Sequence, residues 1–496
     1  MNVLKHYING EYVGDAAASR TSPVFNPATG EQASQVLLAS EQDVDTAVAA
    51  AQAALPAWRN TSLTKRTQIM FRFRALLDAN RDRLAAAVTS EHGKVLSDAA
   101  GEVSRGLENV EFACGLPVHL KGGHSLQAST GVDVHELRQA VGVVAGITPF
   151  NFPVMVPLWM LSNAIACGNT FILKPSEKDP SAALIIAELL TEAGLPDGVF
   201  TVLHGDKVAV DGLLNHDDVK AVSFVGSTPI AQYVYSNGTA QGKRIQALGG
   251  AKNHMVVLPD ADLNAAADAA ISAAYGSAGE RCMAVSVLVA VGDVADELVG
   301  KVQERIAKLS IGDGTDPASE MGPLVTAQHR DKVASYIDKG AAEGATVVVD
   351  GREQKFDGDG FFIGVSLLDN VKPGMAVYDE EIFGPVLAVV RAENYTDAVE
   401  LINNNEFGNG VAIFTRDGGA ARSFEADVEV GMVGVNVPIP VPVGWFSFGG
   451  WKKSLFGDSH MYGPEGVHFF TRTKVVTTRW PDPSTSVVDL GFPSND

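Results

Sequence analysis

Cysteine is scarce: the 496 residues hold three, at positions 114, 167 and 282, with no paired spacing. That argues against a disulfide framework and for a reducing compartment, so a cytoplasmic protein is expected. Basic residues are also short, 38 Lys and Arg against 59 Asp and Glu, a formal net charge of -21. Nucleic acid and anionic membrane surfaces both need a concentrated basic face, so neither is an expected partner. No apolar run is long and uncharged enough to span a bilayer, and Met1 to Gly10 has no apolar core following a basic patch, as an export signal would. Several stock motifs are missing too. No G-x-G-x-x-G, P-loop, H-E-x-x-H, C-x-x-C or G-x-S-x-G occurs, and no metal site is expected.

Apolar material, by contrast, is plentiful. With 46% hydrophobic residues the chain can bury several cores and should divide into two or three domains. From Val141 onward, continuous apolar strands (Val141 to Ile147, Phe171 to Lys174, Phe200 to Leu203, Val219 to Val225) alternate with helices (Leu158 to Cys167, Ala182 to Ala193). Strands apolar on both faces predict a parallel sheet covered by helices on each side, a doubly wound nucleotide-binding unit. A second alternation starts at Met255, with strands at Met255 to Leu258, Val285 to Val291, Thr346 to Val349, Pro385 to Val390 and Val411 to Phe414. Two such α/β units joined near Gly249-Gly250 would place Cys282 in the crevice between them. The final strand pattern, Phe469 to Thr478, has no following helix and is expected to pair with another subunit's sheet.

Cys282 stands in Gly276-Ser277-Ala278-Gly279-Glu280-Arg281-Cys282-Met283-Ala284, small residues that leave room for a substrate. Local context leaves two readings, a small buried hydrophobe or a nucleophile whose thiolate the adjoining Arg281 favours. Cys114 and Cys167 read as packing residues. Phe224-Val225-Gly226-Ser227-Thr228 at a strand end is either an ordinary capped helix start or an anion site for a pyrophosphate. Lys174 and Glu177, leaving another strand end together, form either a solvated turn or a grip on an adenosine ribose. A carboxylate there repels a 2'-phosphate and favours NAD over NADP.

These segments, with Thr148-Pro149-Phe150-Asn151-Phe152-Pro153, Leu248-Gly249-Gly250 and Glu380-Glu381-Ile382-Phe383-Gly384-Pro385, occur in the order seen in the aldehyde dehydrogenase superfamily, which the whole chain resembles. The resemblance implies an α/β fold of two doubly wound Rossmann-like domains plus a small β oligomerisation arm. Residues 1-121 and 141-249 would bind NAD, 250-451 would be catalytic, and 122-140 with 452-496 would form the arm of a homotetramer, a dimer of dimers. It further implies that Cys282 is the nucleophile giving a thiohemiacetal and then a thioacyl enzyme, and that Asn151 holds the oxyanion with the Cys282 backbone N–H. Phe150, Lys174, Glu177, Gly226, Ser227, Glu381 and Phe383 would contact the cofactor.

One departure changes the expected product. Hydrolytic members carry a glutamate at the start of the Leu-Gly-Gly segment as base for water. Here Ala247 and Leu248 occupy that place, and neither takes a proton. A thiol attacks a thioester well without such a base, so coenzyme A is the expected co-substrate and an acyl-CoA the product. With Ala251-Lys252-Asn253-His254, Gly279 to Ala284 and Arg479-Trp480, the likeness narrows to the CoA-acylating methylmalonate-semialdehyde dehydrogenase branch. That branch implies decarboxylation to propionyl-CoA or acetyl-CoA, with Arg105 and Arg281 receiving the substrate carboxylate. The competing reading is a hydrolytic semialdehyde dehydrogenase in which Glu280 activates water.

Overall fold

A computed structural model describes residues 2–485 and 488. Its largest sheet has eight strands. Five of them are parallel, in the spatial order Arg244–Leu248, Val219–Val225, Val143–Ile147, Thr170–Lys174, Phe200–Val202. Counted along the chain the order is 5-4-1-2-3, so the winding reverses beside Val143–Ile147, and a crevice opens beyond its carboxyl end. The apolar character of these strands follows from their position: one face packs on the cluster around Phe171 and Met160, the other on the cluster around Phe224 and Val143. The antiparallel hairpin His6–Ile8 and Glu11–Val13 closes one edge, and Leu455–Phe456 closes the other against Arg244–Leu248.

The second sheet has seven strands, six of them parallel: Ser366–Asp369, Val386–Ala392, Val285–Val291, Asn253–Val257, Gly410–Phe414 and Met432–Val435, with Thr346–Val349 antiparallel at the edge. It owns a separate core built on Met255, Leu288 and Val389. The helix leading to Cys282, Leu263–Tyr275, starts at Asp262, whose carboxylate accepts from the Asn264 and Ala265 amides. Its buried face is mostly alanine, Ala266, Ala267, Ala270, Ala273 and Ala274, which lets it lie close to the sheet.

The last strand also has a partner within the chain. Thr471–Arg479 is not alone in its own chain: it pairs antiparallel along its length with Val132–Ala140, and His124–Ser129 completes a three-stranded sheet. The order leaves Thr471–Arg479 at the rim, with Leu126, Leu137 and Val475 exposed. The expected arm runs on to 496, and residues 486–487 and 489–496 of it lie outside the described residues. Among the described residues no helix is long and apolar enough to cross a membrane, and no group of three His, Cys, Asp or Glu could hold a metal ion.

Candidate active site

The chain between Leu263–Tyr275 and Val285–Val291 makes a turn that an ordinary sequence would avoid. Ser277, Ala278 and Gly279 have φ of 53°, 52° and 73° in succession. For the two non-glycine residues this left-handed backbone costs about 1 kcal/mol or more each, a strain characteristic of functional sites. Gly279 has no alternative, since a Cβ there would lie 2.4 Å from the Gly384 carbonyl oxygen. The turn delivers Cys282 to a small cavity shared with Ala251, Asn253, Arg281, Glu381 and Phe383.

Two side chains that sequence reasoning did not single out pin this loop. Asn253 Nδ2 donates to the carbonyls of Cys282 and Ala284, each at 2.9 Å, while its Oδ1 accepts from the Gly410 amide. Asn409 Nδ2 donates to the same Cys282 carbonyl at 3.1 Å. Both asparagines are buried. Their partners are 29 and 127 residues away, beyond the reach of any local pattern.

Arg281 acts on the sulfur less than its adjacency suggests. Its Nη2 donates to Asp98 at 2.7 Å, and its guanidinium lies over Gly276, where a Cβ would come 2.6 Å from Nη1. Burial, with the nearby Glu381 carboxylate second, pushes the Cys282 thiol up to about 12, and the Cys282 and Met283 amides and Arg281 oppose this without offsetting it. The expected thiolate is therefore a thiol at rest. The thiolate fraction then rises tenfold per pH unit through the neutral range. Alkylation of Cys282 by iodoacetamide should follow that slope from about pH 7 to pH 9 without levelling. A plateau below about pH 8, read by mass spectrometry, would show that the local cations win instead.

Asn151 is buried in the loop that leaves Val143–Ile147. The loop is held by a buried ion pair invisible to sequence reasoning. Lys94 Nζ donates to the Asn151 carbonyl at 2.6 Å and to Glu102 at 2.9 Å, and lies 4.3 Å from the Phe152 ring centre. Glu102 Oε1 accepts in turn from the Val154 and Met155 amides, where the Met155–Ala166 helix begins. Removing one partner of such a pair strands the other charge. Lys94→Met is expected to cost about 3–5 kcal/mol. Urea denaturation followed by tryptophan fluorescence checks this, and an unchanged midpoint would refute it.

Phe150, next to Asn151, meets Phe383 edge-to-face at 5.9 Å, which joins the two loops flanking Cys282. Phe383 itself has φ of 58°. Glu381 accepts from the Ala251 amide at 2.9 Å, and burial pushes its carboxyl up to about 7. At Gly250 a Cβ would stand 2.4 Å from Glu381 Oε2, so a larger residue there would displace that carboxylate. Arg105, on the Leu96–Cys114 helix, donates to Glu108 at 2.9 Å and to the Val441 and Pro442 carbonyls at 3.0 and 3.5 Å.

At the crevice end of the eight-stranded sheet, Lys174 and Glu177 pair at 3.2 Å. The Gly226 and Ser227 expectation needs correcting in detail. The Gly226 amide is already committed to the Leu248 carbonyl at 3.1 Å, and Gly226 serves as a gap, since a Cβ would lie 2.5 Å from the Phe224 ring. Ser227 is exposed at the start of Thr228–Ala240 and makes no side-chain cap, while Thr228 Oγ1 accepts from the Gly250 amide. Glu280 is fully buried, 3.7 Å from the Nε2 atoms of both His92 and His329, and its carboxyl is pushed up to about 8 by burial. Sealed in this way it has no access to substrate or water in the cleft.

A sequence model described as the aldehyde dehydrogenase family matches residues 14–476. The chain belongs to that family. A malonate-semialdehyde dehydrogenase of Pseudomonas aeruginosa is 59% identical to this aldehyde dehydrogenase over the full length of both chains. Among solved structures, a methylmalonate-semialdehyde dehydrogenase from Oceanimonas doudoroffii is 56% identical, with a TM-score of 0.96 over 98% of this chain and 99% of the other. A Sinorhizobium meliloti protein assigned to the same activity and solved with NAD is 52% identical, again at 0.96 and with the same coverage. The α/β architecture of this aldehyde dehydrogenase is thus that of its solved relatives.

Proposed function

We propose that the protein is an NAD-dependent, CoA-acylating oxidoreductase that converts malonate semialdehyde to acetyl-CoA and its methyl-branched homologue to propionyl-CoA, with loss of carbon dioxide. The carrying observation is the absence of a base where the hydrolytic reading needs one. Ala247 and Leu248 are buried aliphatics ending a strand, and Glu280 is sealed from the cleft. The names of the relatives support the same substrate class.

In this reading residues 1-121 and 141-249, which supply seven of the eight strands of the first sheet, bind the cofactor, and 250-451 carries Cys282. Of the expected homotetramer arm, 122-140 and 452-496, the strands His124–Ser129, Val132–Ala140 and Thr471–Arg479 are the assembling part, whereas Leu455–Phe456 belongs to the eight-stranded sheet. The apolar side chains exposed on the rim sheet, Leu126, Leu137 and Val475, support an assembly role for it. Cysteine content supports a cytoplasmic setting. The Lys174–Glu177 pair fits an adenosine ribose, and the exposed Ser227 at a helix start fits a pyrophosphate. Glu381 and Phe383 fit the nicotinamide end. NAD, when bound, supplies the hydride acceptor that makes aldehyde oxidation possible.

The chain's own residues do the rest. Cys282 loses its proton to solvent and its sulfur adds to the aldehyde carbon, forming a C–S bond as the carbonyl π bond opens onto oxygen. The oxygen that gains charge is met by the Asn151 side-chain amide and the Cys282 N–H, neutral donors that stabilise it without protonating it. Arg105 receives the distal carboxylate, since a guanidinium offers two-point recognition, and Arg281 joins it by exchanging Asp98 for the ligand. Once the carbonyl carbon is an acyl thioester, the carboxylate leaves as carbon dioxide and its electron pair passes into the thioester carbonyl. Protonation gives an acetyl or propionyl thioester. The thiolate of coenzyme A then attacks that carbonyl carbon, the C–S bond to Cys282 breaks, and the free sulfur is restored.

A second reading, hydrolysis, draws on Glu381 rather than Glu280, because Glu381 shares the Cys282 cavity and has its carboxyl pushed up to about 7. One assay separates them, NADH formation from malonate semialdehyde with and without coenzyme A. Without it, the acylating reading expects a burst of about one NADH per subunit and then turnover at least ~100-fold slower, the scale of a missing general base. Undiminished turnover to free acetate would overturn it.

A further inference from the structure

Tyr462 belongs to the apolar cluster against which Cys282 packs and has no part in the chemistry described so far. Its backbone has φ 44° and ψ -166°, a conformation that a bulky L residue adopts only under constraint. The constraint comes from both directions. Met461 and Phe448 exchange both backbone hydrogen bonds, at 2.7 and 3.0 Å, fixing the chain just before Tyr462. The Tyr462 carbonyl accepts from Ser447 Oγ and from the Gly466 amide, each at 2.9 Å, fixing it just after. Backbone strain is therefore maintained to aim one side chain.

The ring is aimed between Trp159 and Phe448, with centroids 5.2 and 6.3 Å away. All three belong to the apolar cluster against which Cys282 packs. A phenylalanine would satisfy that packing equally well. The hydroxyl does something else: it donates at 2.9 Å to the Pro442 carbonyl. Arg105 Nη2 donates to the same short stretch, at Val441 and Pro442. Two donors from distant parts of the chain, one charged and one neutral, thus converge on one patch of main-chain carbonyls. The phenol also lies within electrostatic range of Arg105, Cys282 and Glu108, the charged and titratable groups that face it. Burial pushes its ionisation upward, so it stays a protonated donor.

We propose that Tyr462 is a specificity-determining residue whose hydroxyl, beside Arg105, hydrogen-bonds the distal carboxylate of the substrate. A carboxylate is a stronger acceptor than an amide carbonyl, so Arg105 exchanges the Val441 carbonyl and Tyr462 the Pro442 carbonyl for the ligand when it arrives. A neutral phenol adds a hydrogen bond without deepening the positive field near the sulfur. This assignment rests on the reading of Arg105 as the carboxylate receptor.

The test compares malonate semialdehyde with propanal, which has a methyl group in place of the carboxylate, at saturating NAD and coenzyme A. In Tyr462→Phe the KM for malonate semialdehyde should rise about 10- to 100-fold, the loss of one hydrogen bond to a charged group, with kcat within about twofold and the KM for propanal unchanged. KM does not depend on how much of the variant folds, so reduced yield does not blur the result. An equal rise for both aldehydes, or no rise for either, overturns the proposal. Arg105→Met, measured alongside, distinguishes the two levels. If it abolishes the preference for the carboxylate substrate while Tyr462→Phe keeps it, only the tyrosine assignment fails. If neither variant alters the preference, the carboxylate reading itself fails.

Discussion

Cys282→Ser should lower the steady-state rate of NADH formation at least about 10,000-fold, the scale seen when a nucleophile that acts within a preorganised unit is removed. The substitution changes one atom in a loop whose carbonyl is held by both Asn253 and Asn409, so the turn and its neighbours have no reason to move. A hydroxyl in that cavity is far less acidic than the thiol it replaces, and the thiol already sits near 12. Burial that the sulfur tolerates silences the oxygen. Moreover, an oxygen ester at this position would be a poor acyl donor to coenzyme A. The check is paired: initial rates for activity, and quenching of protein fluorescence by added NAD to show that cofactor binding persists. A residual rate above about 1% would mean that another group carries the acyl chain.

Asn151→Ala should reduce kcat by about 100- to 1,000-fold with little change in KM, because an oxyanion donor is worth more to the transition state than to the bound aldehyde. The side chain is supported from behind: Lys94 grips the Asn151 carbonyl, and Glu102 anchors both Lys94 and the amides of Val154 and Met155. Truncation at Cβ leaves that scaffold intact and removes only the donor. Rapid mixing resolves the point, since the first-turnover burst of NADH should slow by the same factor as the steady state. A slowed steady state behind an intact burst would move the role of Asn151 to acyl transfer instead.

The fold could be read where strands are long and apolar on both faces. Val219–Val225 and Val285–Val291 lie at their expected bounds, because burial on both faces leaves a continuous apolar pattern. Short or mixed elements escaped. Ser366–Asp369 and Met432–Val435 have four residues each, and the helix Lys207–Asn215 only nine. The partner of the terminal strand escaped because Val132–Ala140 alternates charged and apolar residues and lies some 340 positions away in register, Thr471 opposite Ala140 at one end and Arg479 opposite Val132 at the other.

The site divides along the same physical line. Cys282, Asn151, Lys174, Glu177 and Glu381 lie in short segments whose local chemistry is distinctive, and the resemblance to a family was carried by those segments. The direction of Arg281 could not be read, since Asp98 lies 183 residues upstream. Lys94, Glu102, Asn253, Asn409 and Tyr462 each act through a contact made by tertiary folding, and nothing beside them in the chain marks the partner.

The turn at Ser277 and Ala278 and the burial it imposes bear on oxidative damage. Peroxide reacts with thiolates, and each step from sulfenic to sulfonic acid begins there. Cys114, Cys167 and Cys282 are all held protonated, pushed up to about 11, 12 and 12, chiefly by burial. An enzyme that must offer a sulfur to its substrate thus presents little oxidisable anion while that sulfur is protonated.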